Sequence, residues 1–294
     1  MIVNPAAQPL RVIVTRPEDE ARDWVEQLAQ AGFAAEALPL IGIRPAAEPG
    51  DHSALEKARS ELAQYAACLF VSGNAVRHFF KGFRPFDEAE RAQDATKNIA
   101  TAGRVPALLR LLAPGPGTAA ALRDAGTPGW RIETPALDAE QFDSEALWQQ
   151  IGGRDWAGRR VLVVRGRVGR LADRDADPAE RAAPGRDWIA RQWQAAGAQV
   201  DFLCVYERVR PSLTLAQRVR AETASADGSV WLFSSSEAVA NLAASTALEF
   251  NRGLAVATHP RIASAAEAAG WGVVKQSRPA LRELVACLRS IDAR

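Results

Sequence analysis

Short turns that combine hydroxyl groups, glycine and amides follow several apolar runs of this 294-residue chain. "VSGNAV" contains Ser72, Gly73 and Asn74, three serines occupy residues 234–236 after another run, and "GPGTAAAL" contains Thr118. Free N–H groups at a helix start, together with hydroxyls, form binding sites for carboxylates or phosphates. For any single turn, N-capping, worth about 1 kcal/mol, explains the pattern better. Only the set of turns indicates a ligand site.

Arginines lie near the same turns. The segment "RGRVGR" begins at Arg165, the last residue of an apolar run, and also contains Gly166, Arg167 and Arg170. Arg16 directly follows another apolar run. In open parallel α/β sheets, ligands bind at the carboxyl ends of the strands. A solvated arginine is an equally good explanation for each position taken alone. Together the turns and arginines predict a receptor for an anionic ligand at these edges.

Several other chemistries are disfavoured by the pattern of residues. The three histidines are far apart and show neither HExxH nor Cys/His spacing, which counts against a protein-built zinc site. Gly115 and Gly117 form only part of a dinucleotide fingerprint, because Ala120 stands where its third glycine belongs. The sequence also lacks a Walker lysine and a GxSxG nucleophile elbow.

The elements that must position these turns alternate between strands and helices. Apolar, β-branched runs occur at 11–15, 35–41, 66–71, 160–165, 200–206, 229–234 and 253–258. Amphipathic stretches between them include 19–31, 117–126 and 187–196. Because several runs are apolar throughout, they predict strands covered on both faces, as in a parallel α/β sheet.

The chain also contains an internal repeat of four segments in the same order. The matched pairs are "RVIVTRP" with "RVLVVRG", 26–45 with 191–211, "CLFVSGNAV" with "WLFSSSEAV", and 115–126 with 259–270. This order indicates two copies of one strand–helix module. An Arg/Asp/Ala/Pro-rich insertion at 171–185 predicts a mobile surface loop, and the polar segment 81–97 a surface element. The tripeptides 43–45 and 209–211 resemble strand exits into linkers.

Composition limits the class of protein. The chain is 48% hydrophobic and carries a net charge of +1, so nothing in bulk charge draws it to nucleic acid or an anionic membrane. It lacks an apolar run of the length that spans a bilayer. Cys68, Cys204 and Cys287 are widely spaced and predict buried small hydrophobes rather than disulfides. The N-terminal residues lack the pattern of a secretion signal, so we expect a cytoplasmic protein.

The ordered set of "RVIVTRP", "CLFVSGNAV", "GPGTAAALRDAG", "RVLVVRGRVGR", "CVYERV" and "WLFSSSEAV" resembles the uroporphyrinogen-III synthase family, from about Arg11 to Leu288. The resemblance implies two similar lobes, each a parallel sheet flanked by helices. One lobe would comprise 1–43 plus 211–294 and the other 44–210. A two-stranded linker would join them, with an active-site cleft between.

The resemblance also implies an activity. Members of the family are lyases that cyclise linear hydroxymethylbilane to uroporphyrinogen III, with loss of water and inversion of the terminal pyrrole ring. They use neither a metal nor an organic cofactor. The expected partner is therefore a small polycarboxylate tetrapyrrole, without nucleic acid or membrane, and the expected state is a monomer.

Residue roles follow from the same resemblance. Tyr206 matches the family's tyrosine, which would hydrogen-bond or protonate the departing hydroxyl; a strand-end aromatic with a water-facing hydroxyl is the alternative. The implied substrate contacts are the side chains of Ser72, Thr118 and Ser235 and the backbone of Gly73, Asn74 and Ser236.

The sequence departs from the family pattern in two places. Where the family has a Gly-x-Thr-Ala turn, "HPRIA" places Arg261 and Ile262, which predicts a lost hydroxyl contact and a carboxylate contact from Arg261 instead. The insertion at 171–185 directly follows "RGRVGR", so the contacts of Arg167 and Arg170 stay open.

Two other classes of protein fit the pattern less fully. Duplicated α/β lobes also suit a cytoplasmic binding or sensor protein that closes on an anionic metabolite. A nucleotide-dependent enzyme is the third hypothesis, after the synthase and the sensor. Turnover of hydroxymethylbilane would separate the synthase from the sensor, and a ligand-induced shift in melting temperature would test for a nucleotide.

Overall fold

The computed structural model describes residues 9–86, 109–136, 143–169, 184–246 and 248–292. The chain divides into two compact units. Unit 1 comprises the residues up to Gly42 together with those from Val209 onward, and unit 2 comprises Ile43–Arg208. These boundaries fall one and two residues before those expected from the sequence. Unit 1 is therefore assembled from both ends of the chain.

Unit 1 is built on a parallel sheet. Its strands are β1 (Arg11–Val14), β2 (Ala34–Ala37), β9 (Val230–Phe233), β10 (Leu254–Ala257) and β11 (Val273–Gln276). Its helices are α1 (Glu18–Gln30), α7 (Leu215–Ala224), α8 (Ser236–Ser245), α9 (Pro260–Ala268) and α10 (Leu281–Asp292). The strand order is β11-β10-β9-β1-β2, and every neighbouring pair is parallel.

The central strands of this sheet form because both of their faces can be buried. All four residues of β9 are buried, and successive side chains point to opposite faces. Val230 and Leu232 pack with Leu28 of α1 and Leu288 of α10. On alternate positions, the Trp231 ring packs edge-on against Trp271, with centroids 5.6 Å apart. The sheet is therefore covered on both sides, as its apolar runs predicted.

Unit 2 repeats this plan, but two of its strands, β7 and β8, are longer than those of unit 1. Its strands are β3 (Gly42–Pro45), β4 (Ala67–Phe70), β5 (Arg110–Leu112), β6 (Ile132–Glu133), β7 (Arg160–Val168) and β8 (Gln199–Val209). Its helices are α2 (Asp51–Ser60), α3 (Gly73–Phe80), α4 (Pro116–Asp124), α5 (Ser144–Ile151) and α6 (Pro184–Ala195). The strand order is β3-β8-β7-β4-β5-β6, parallel from β8 to β6.

Strand β3 lies at the edge of the unit 2 sheet. The Ala46 amide donates to the Val205 carbonyl at 3.2 Å, and Gly42 faces Val209. These two contacts run in opposite chain directions, so β3 is antiparallel to β8. Pro45 is tolerated at the end of β3 because an edge strand can lack one donor.

Five parallel strands of the unit 2 sheet have the same order as the five strands of unit 1, whereas β3 has no counterpart. The repeat explains this shared order. The central pair β9-β1 of unit 1 corresponds to β4-β7 of unit 2, and β2 corresponds to β8. The first copy of the repeat supplies β1 and β2 to unit 1 but β4 and α4 to unit 2. The second copy supplies the complementary halves. The predicted α/β class, with two similar lobes each built on a parallel sheet flanked by helices, is confirmed.

Some local predictions are wrong. The segment "RGRVGR" does not form the predicted turn. Strand β7 continues through Arg165, Gly166 and Arg167 and ends at Val168. The predicted strand exits at 43–45 and at Val209 belong to β3 and β8. Strands β5, β6 and β11 were not predicted, since they are short and partly polar. The segment 81–97 and the insertion 171–185 lie largely outside the described residues.

Two further expectations concern the cysteines and the membrane. The three cysteines are free thiols, of which Cys68 is buried and Cys204 and Cys287 are half-buried. Burial raises the pKa of the Cys68 thiol. Within the described parts of the chain, none of the helices combines the length and the apolar character of a membrane span.

Candidate active site

Tyr206 and Ser72 meet at the carboxyl end of the unit 2 sheet. Tyr206 lies near the end of β8, and Ser72 follows β4 as the residue that caps α3. The Tyr206 Oη and Ser72 Oγ atoms are 3.0 Å apart, and either hydroxyl could donate. Tyr206 is only 2% exposed, whereas Ser72 is half-buried. The phenol is thus buried with a protein partner, which does not fit the alternative of a strand-end aromatic with a water-facing hydroxyl.

A β-bulge aims the Tyr206 ring. The pairing of β7 with β8 passes from Arg165–Cys204 directly to Gly166–Tyr206, which leaves Val205 as an extra residue on β8. Such an extra residue re-aims the side chains that follow it. Val205 and Tyr206 consequently both join the same apolar core, although neighbouring strand residues normally face opposite sides.

Gly166 and His78 pack against the Tyr206 ring. A methyl group on the Gly166 Cα would come within 2.7 Å of the Tyr206 Cε1 atom and closer still to two other ring atoms. Position 166 must therefore lack a side chain for the ring to lie there. The His78 imidazole of α3 stacks on Tyr206, with ring centroids 5.8 Å apart and planes at 27°.

The turn after β4 holds three of the predicted contact residues. Ser72 Oγ accepts a hydrogen bond from the Ala75 amide at 3.2 Å, so the turn is a true helix cap. Asn74 is buried, and its Oδ1 accepts from the Arg77 guanidinium at 2.8 Å. The guanidinium also lies beside Gly73.

Arg77 and His78 were not predicted as site residues. A signal for Arg77 existed, because helical side chains point back toward the N-terminus and Arg77 stands four residues after Gly73. No comparable signal existed for His78. Its proximity to Tyr206 depends on the packing of α3 against β8.

The start of α4 lies next to the same turn. Gly115 precedes α4 without a side-chain cap, and Pro116 occupies its first turn, where its missing N–H costs nothing. Thr118 is 8% exposed. Ala121 of α4 lies close to Gly73 of α3. The structure therefore brings the two predicted helix starts of unit 2 together.

A network of ion pairs surrounds Glu207, the residue after Tyr206. The Arg167 Nε donates to Glu207 Oε1 at 3.0 Å, and the Arg44 Nε donates to Glu207 Oε2 at 2.8 Å. The Arg167 guanidinium also donates to both carboxylate oxygens of Asp51. The network ties β3, β7 and β8 to the first turn of α2.

The network shifts the pKa of both carboxyl groups in the same direction. The hydrogen bond from Arg167 holds the pKa of Asp51 below its ordinary value. Burial of Glu207 acts in the opposite sense, but the hydrogen bonds from Arg167 and Arg44 outweigh it, and the pKa of Glu207 is also lowered. Both carboxylates are therefore ionised at neutral pH.

The arginines of "RGRVGR" differ from expectation. The Arg167 guanidinium is already engaged by carboxylates of this chain, so its part in substrate binding stays a prediction. Arg165 lies within β7, and its guanidinium stacks over the Phe202 ring at 4.5 Å. Arg170 falls outside the described residues.

Arg16 follows β1 in unit 1, as predicted. Its guanidinium stacks over Trp24 at 4.7 Å and pairs with Glu20 at 3.3 Å. Burial is the main cause of a lowered pKa for this group, which the Glu20 carboxylate partly offsets. The buried Arg16 Nε has no hydrogen-bond partner among the described residues. A role for Arg16 in binding an anionic ligand stays a prediction.

Two further helix starts of unit 1 carry predicted contacts. Ser235 caps α8 by accepting from the Glu237 amide at 3.1 Å, and Ser236 is the first residue of the helix. His259 caps α9, its Nδ1 accepting from the amide of Arg261. The Arg261 side chain is exposed and Ile262 is buried. Sequence reasoning missed the capping role of His259.

One protein-family model and several solved structures are similar to this chain. A protein-family model described as uroporphyrinogen-III synthase HemD matches residues 22–173. The chain is similar to uroporphyrinogen-III synthetase from Helicobacter pylori 26695, at 13% identity and a TM-score of 0.53, over 97% of this chain and 100% of that one. It is also similar to a mutant uroporphyrinogen III synthase from the extremely thermophilic bacterium Thermus thermophilus, at 15% identity and a TM-score of 0.49, over 97% and 98%.

These findings differ in what they establish. At such low identity, the likeness to the Helicobacter pylori structure shows the fold alone. The family match covers more than half of the chain and includes the turn after β4. The resemblance found in the sequence is thereby confirmed, and the family's activity is favoured over that of a sensor. The chain belongs to the uroporphyrinogen-III synthase family.

Proposed function

We propose that this chain cyclises hydroxymethylbilane to uroporphyrinogen III, with Tyr206 as the source of the proton that the departing hydroxyl group requires. The observation that supports this role is the Tyr206–Ser72 hydrogen bond at the carboxyl end of the unit 2 sheet. A bulge, a glycine and an imidazole hold the phenol there. In the family's reaction the hydroxyl leaves as water.

The chemistry gives the phenol a defined task. A hydroxide ion is a poor leaving group, so a proton must reach the oxygen as the carbon–oxygen bond breaks. The pyrrole ring supplies the electrons that expel the oxygen. General acid assistance of this kind typically accelerates a reaction about 10²–10⁴-fold.

The second task of the protein is to control conformation. Direct closure of the linear substrate gives isomer I spontaneously, whereas isomer III requires a spiro intermediate in which the terminal ring is inverted. A site that holds the reacting atoms in the required geometry favours this route. We propose that turns at the carboxyl ends of the strands contribute contacts that hold the substrate.

The contacts we propose for the substrate carboxylates are helix-start amides, hydroxyls and arginines. Arg16 is supported by its buried unpaired donor, and the turn after β4 by its neighbour Arg77. The proposed set comprises Arg16, Ser72, Gly73, Asn74, Thr118, Arg165, Gly166, Arg167, Ser235, Ser236 and Arg261. We further propose that the enzyme acts in the cytoplasm as a monomer.

The direct test is to supply hydroxymethylbilane to the purified protein and to separate the product isomers. We expect mostly isomer III, formed faster than spontaneous closure. Isomer I alone, formed at the spontaneous rate, would contradict the proposed function.

A further inference from the structure

The hydrogen-bond geometry around Ser72 raises the question of which hydroxyl faces the substrate. A serine hydroxyl carries one proton and two lone pairs. The Ala75 amide donates to Ser72 Oγ, which occupies one lone pair. The Tyr206 hydroxyl, 3.0 Å away, either donates to the second lone pair or accepts the serine proton.

Acidity favours the phenol as the donor of this hydrogen bond. A phenol O–H is a better hydrogen-bond donor than the O–H of an aliphatic alcohol, because the aromatic ring draws electron density from the oxygen. If Tyr206 donates, both lone pairs of Ser72 are occupied. The serine proton must then point in a third direction, away from both partners.

Burial supports the same assignment. Tyr206 is 2% exposed, and Gly166 and His78 both lie against its ring. Ser72 is half-buried at the end of β4. A substrate at this edge of the sheet can therefore reach the serine hydroxyl more readily than the phenol.

We propose that Ser72 is a catalytic residue, and that the proton from Tyr206 reaches the substrate through the Ser72 hydroxyl. This inference rests on the proposed function. Helix capping fixes the position of Ser72 Oγ, since the Ala75 amide holds it. The same serine thus stabilises the helix start and directs a proton outward.

Two protons move in this step. The Ser72 proton moves to the hydroxyl oxygen of hydroxymethylbilane, while the Tyr206 proton moves to Ser72 Oγ. The carbon–oxygen bond breaks and its electron pair leaves with the oxygen as water. Ring closure later releases a proton from the attacked pyrrole ring, which returns through Ser72 to the phenolate.

The test compares variants that separate capping from proton transfer. Ser72→Ala removes both functions, Ser72→Asn keeps an acceptor for the Ala75 amide but has no hydroxyl, and Ser72→Thr keeps both. We expect kcat to fall about 10²–10⁴-fold in the first two variants. Ser72→Thr should recover most of that loss.

The matched control for capping is Asp143→Ala. Asp143 caps α5 of the same unit by accepting from the Ala146 amide at 2.8 Å. It has no part in the proposed site. We expect this variant to lower the melting temperature about as much as Ser72→Ala while kcat stays at the wild-type value.

A double variant tests whether both hydroxyls act in one path. Residues that act in one path show non-additive losses, so adding Ser72→Ala to Tyr206→Phe should lower kcat little further. A folded Ser72→Asn variant with wild-type kcat, or additive losses in the double variant, would overturn the relay. If Tyr206→Phe loses activity while Ser72→Asn does not, only the relay fails. Full activity of Tyr206→Phe would overturn both the relay and the proton-donor role.

Discussion

The helix starts after β4 and β9 occupy equivalent places in the five strands whose order the two sheets share, yet only the one after β4 contacts a phenol. Ser72 and Ser235 both cap the helix that follows. Ser72 also bonds to Tyr206 of β8. The equivalent strand of unit 1, β2, has four residues where β8 has eleven. The fold therefore requires the capped turn but not the tyrosine.

Only one copy of the duplicated module contains the proposed proton donor. The repeat aligns Tyr206 with Leu40 or Ile41, which are both buried apolar residues. On β8, a longer strand, a bulge and a facing glycine bring an acidic hydroxyl to the capping serine. The scaffold of both units stays the same, while the proton donor is added to one.

The largest effect should come from removing the phenol oxygen alone. We expect Tyr206→Phe to lower kcat about 10²–10⁴-fold, and to lower the free energy of unfolding by only about 1 kcal/mol for the lost hydrogen bond. Steady-state kinetics and urea unfolding measure the two effects. Tyr65→Phe is the matched control, because the Tyr65 hydroxyl bonds to Asp201 outside the proposed site.

Catalytic activity should be next most sensitive to Gly166, which leaves room for the Tyr206 ring. Gly166→Ala places a methyl group against the Tyr206 ring, so we expect kcat to fall about 10–100-fold through misplacement of the phenol. The same change in a Tyr206→Phe background should add little, because the hydroxyl is already absent. Gly153→Ala, at a glycine with open space around it, is the control. Equal losses in both backgrounds would assign Gly166 a role independent of the phenol.

The ion network beside Tyr206 should affect stability and its dependence on pH. Glu207→Gln removes the carboxylate that pairs with Arg44 and one of the carboxylates that pair with Arg167, which still contacts Asp51. We expect this change to cost about 1.5–3 kcal/mol at pH 7. The pKa values of Glu207 and Asp51 are lowered in the folded state, so their stabilisation is present above the unfolded-state pKa and disappears as the pH falls through the folded-state values. Urea unfolding should therefore show a shallower loss of stability on acidification in the variant. An unchanged slope would mean that the network does not contribute to acid unfolding.

The smallest effect should come from the capping serine that lacks a phenol. We expect Ser235→Ala to lower the free energy of unfolding by about 1 kcal/mol through the lost cap. Its activity should fall much less than that of Ser72→Ala and chiefly through a raised KM, because Ser235 is proposed to bind substrate without transferring a proton. A loss of kcat as large as that of Ser72→Ala would remove the distinction between the two turns.

The features that were predictable from the sequence are local in origin. The apolar runs identified β1, β4, β9 and β10, because both faces of these strands are buried. The serine turns were recognisable from the hydroxyl before each helix. The repeat exposed two copies of one module, and the ordered motifs identified the family.

The features that were not predictable depend on packing between distant segments. The bulge at Val205 arises from the pairing of β7 with β8, which alternation of residue types does not encode. The local structure predicted for Gly166 was wrong. A glycine after an apolar run suggested a turn, whereas Gly166 lies within β7 and leaves room for the Tyr206 ring. The stacking of His78 on Tyr206 likewise depends on the packing of α3 against β8.

The most direct test of the difference between the two turns is the ratio of isomer III to isomer I, measured side by side. Wild-type protein, Tyr206→Phe and Tyr65→Phe would each receive hydroxymethylbilane at the same enzyme concentration. We predict mostly isomer III from wild type and Tyr65→Phe, and a shift toward isomer I with Tyr206→Phe, because spontaneous closure then outpaces the enzyme. A Tyr206→Phe variant that makes isomer III at the wild-type rate and ratio would contradict the catalytic role of Tyr206.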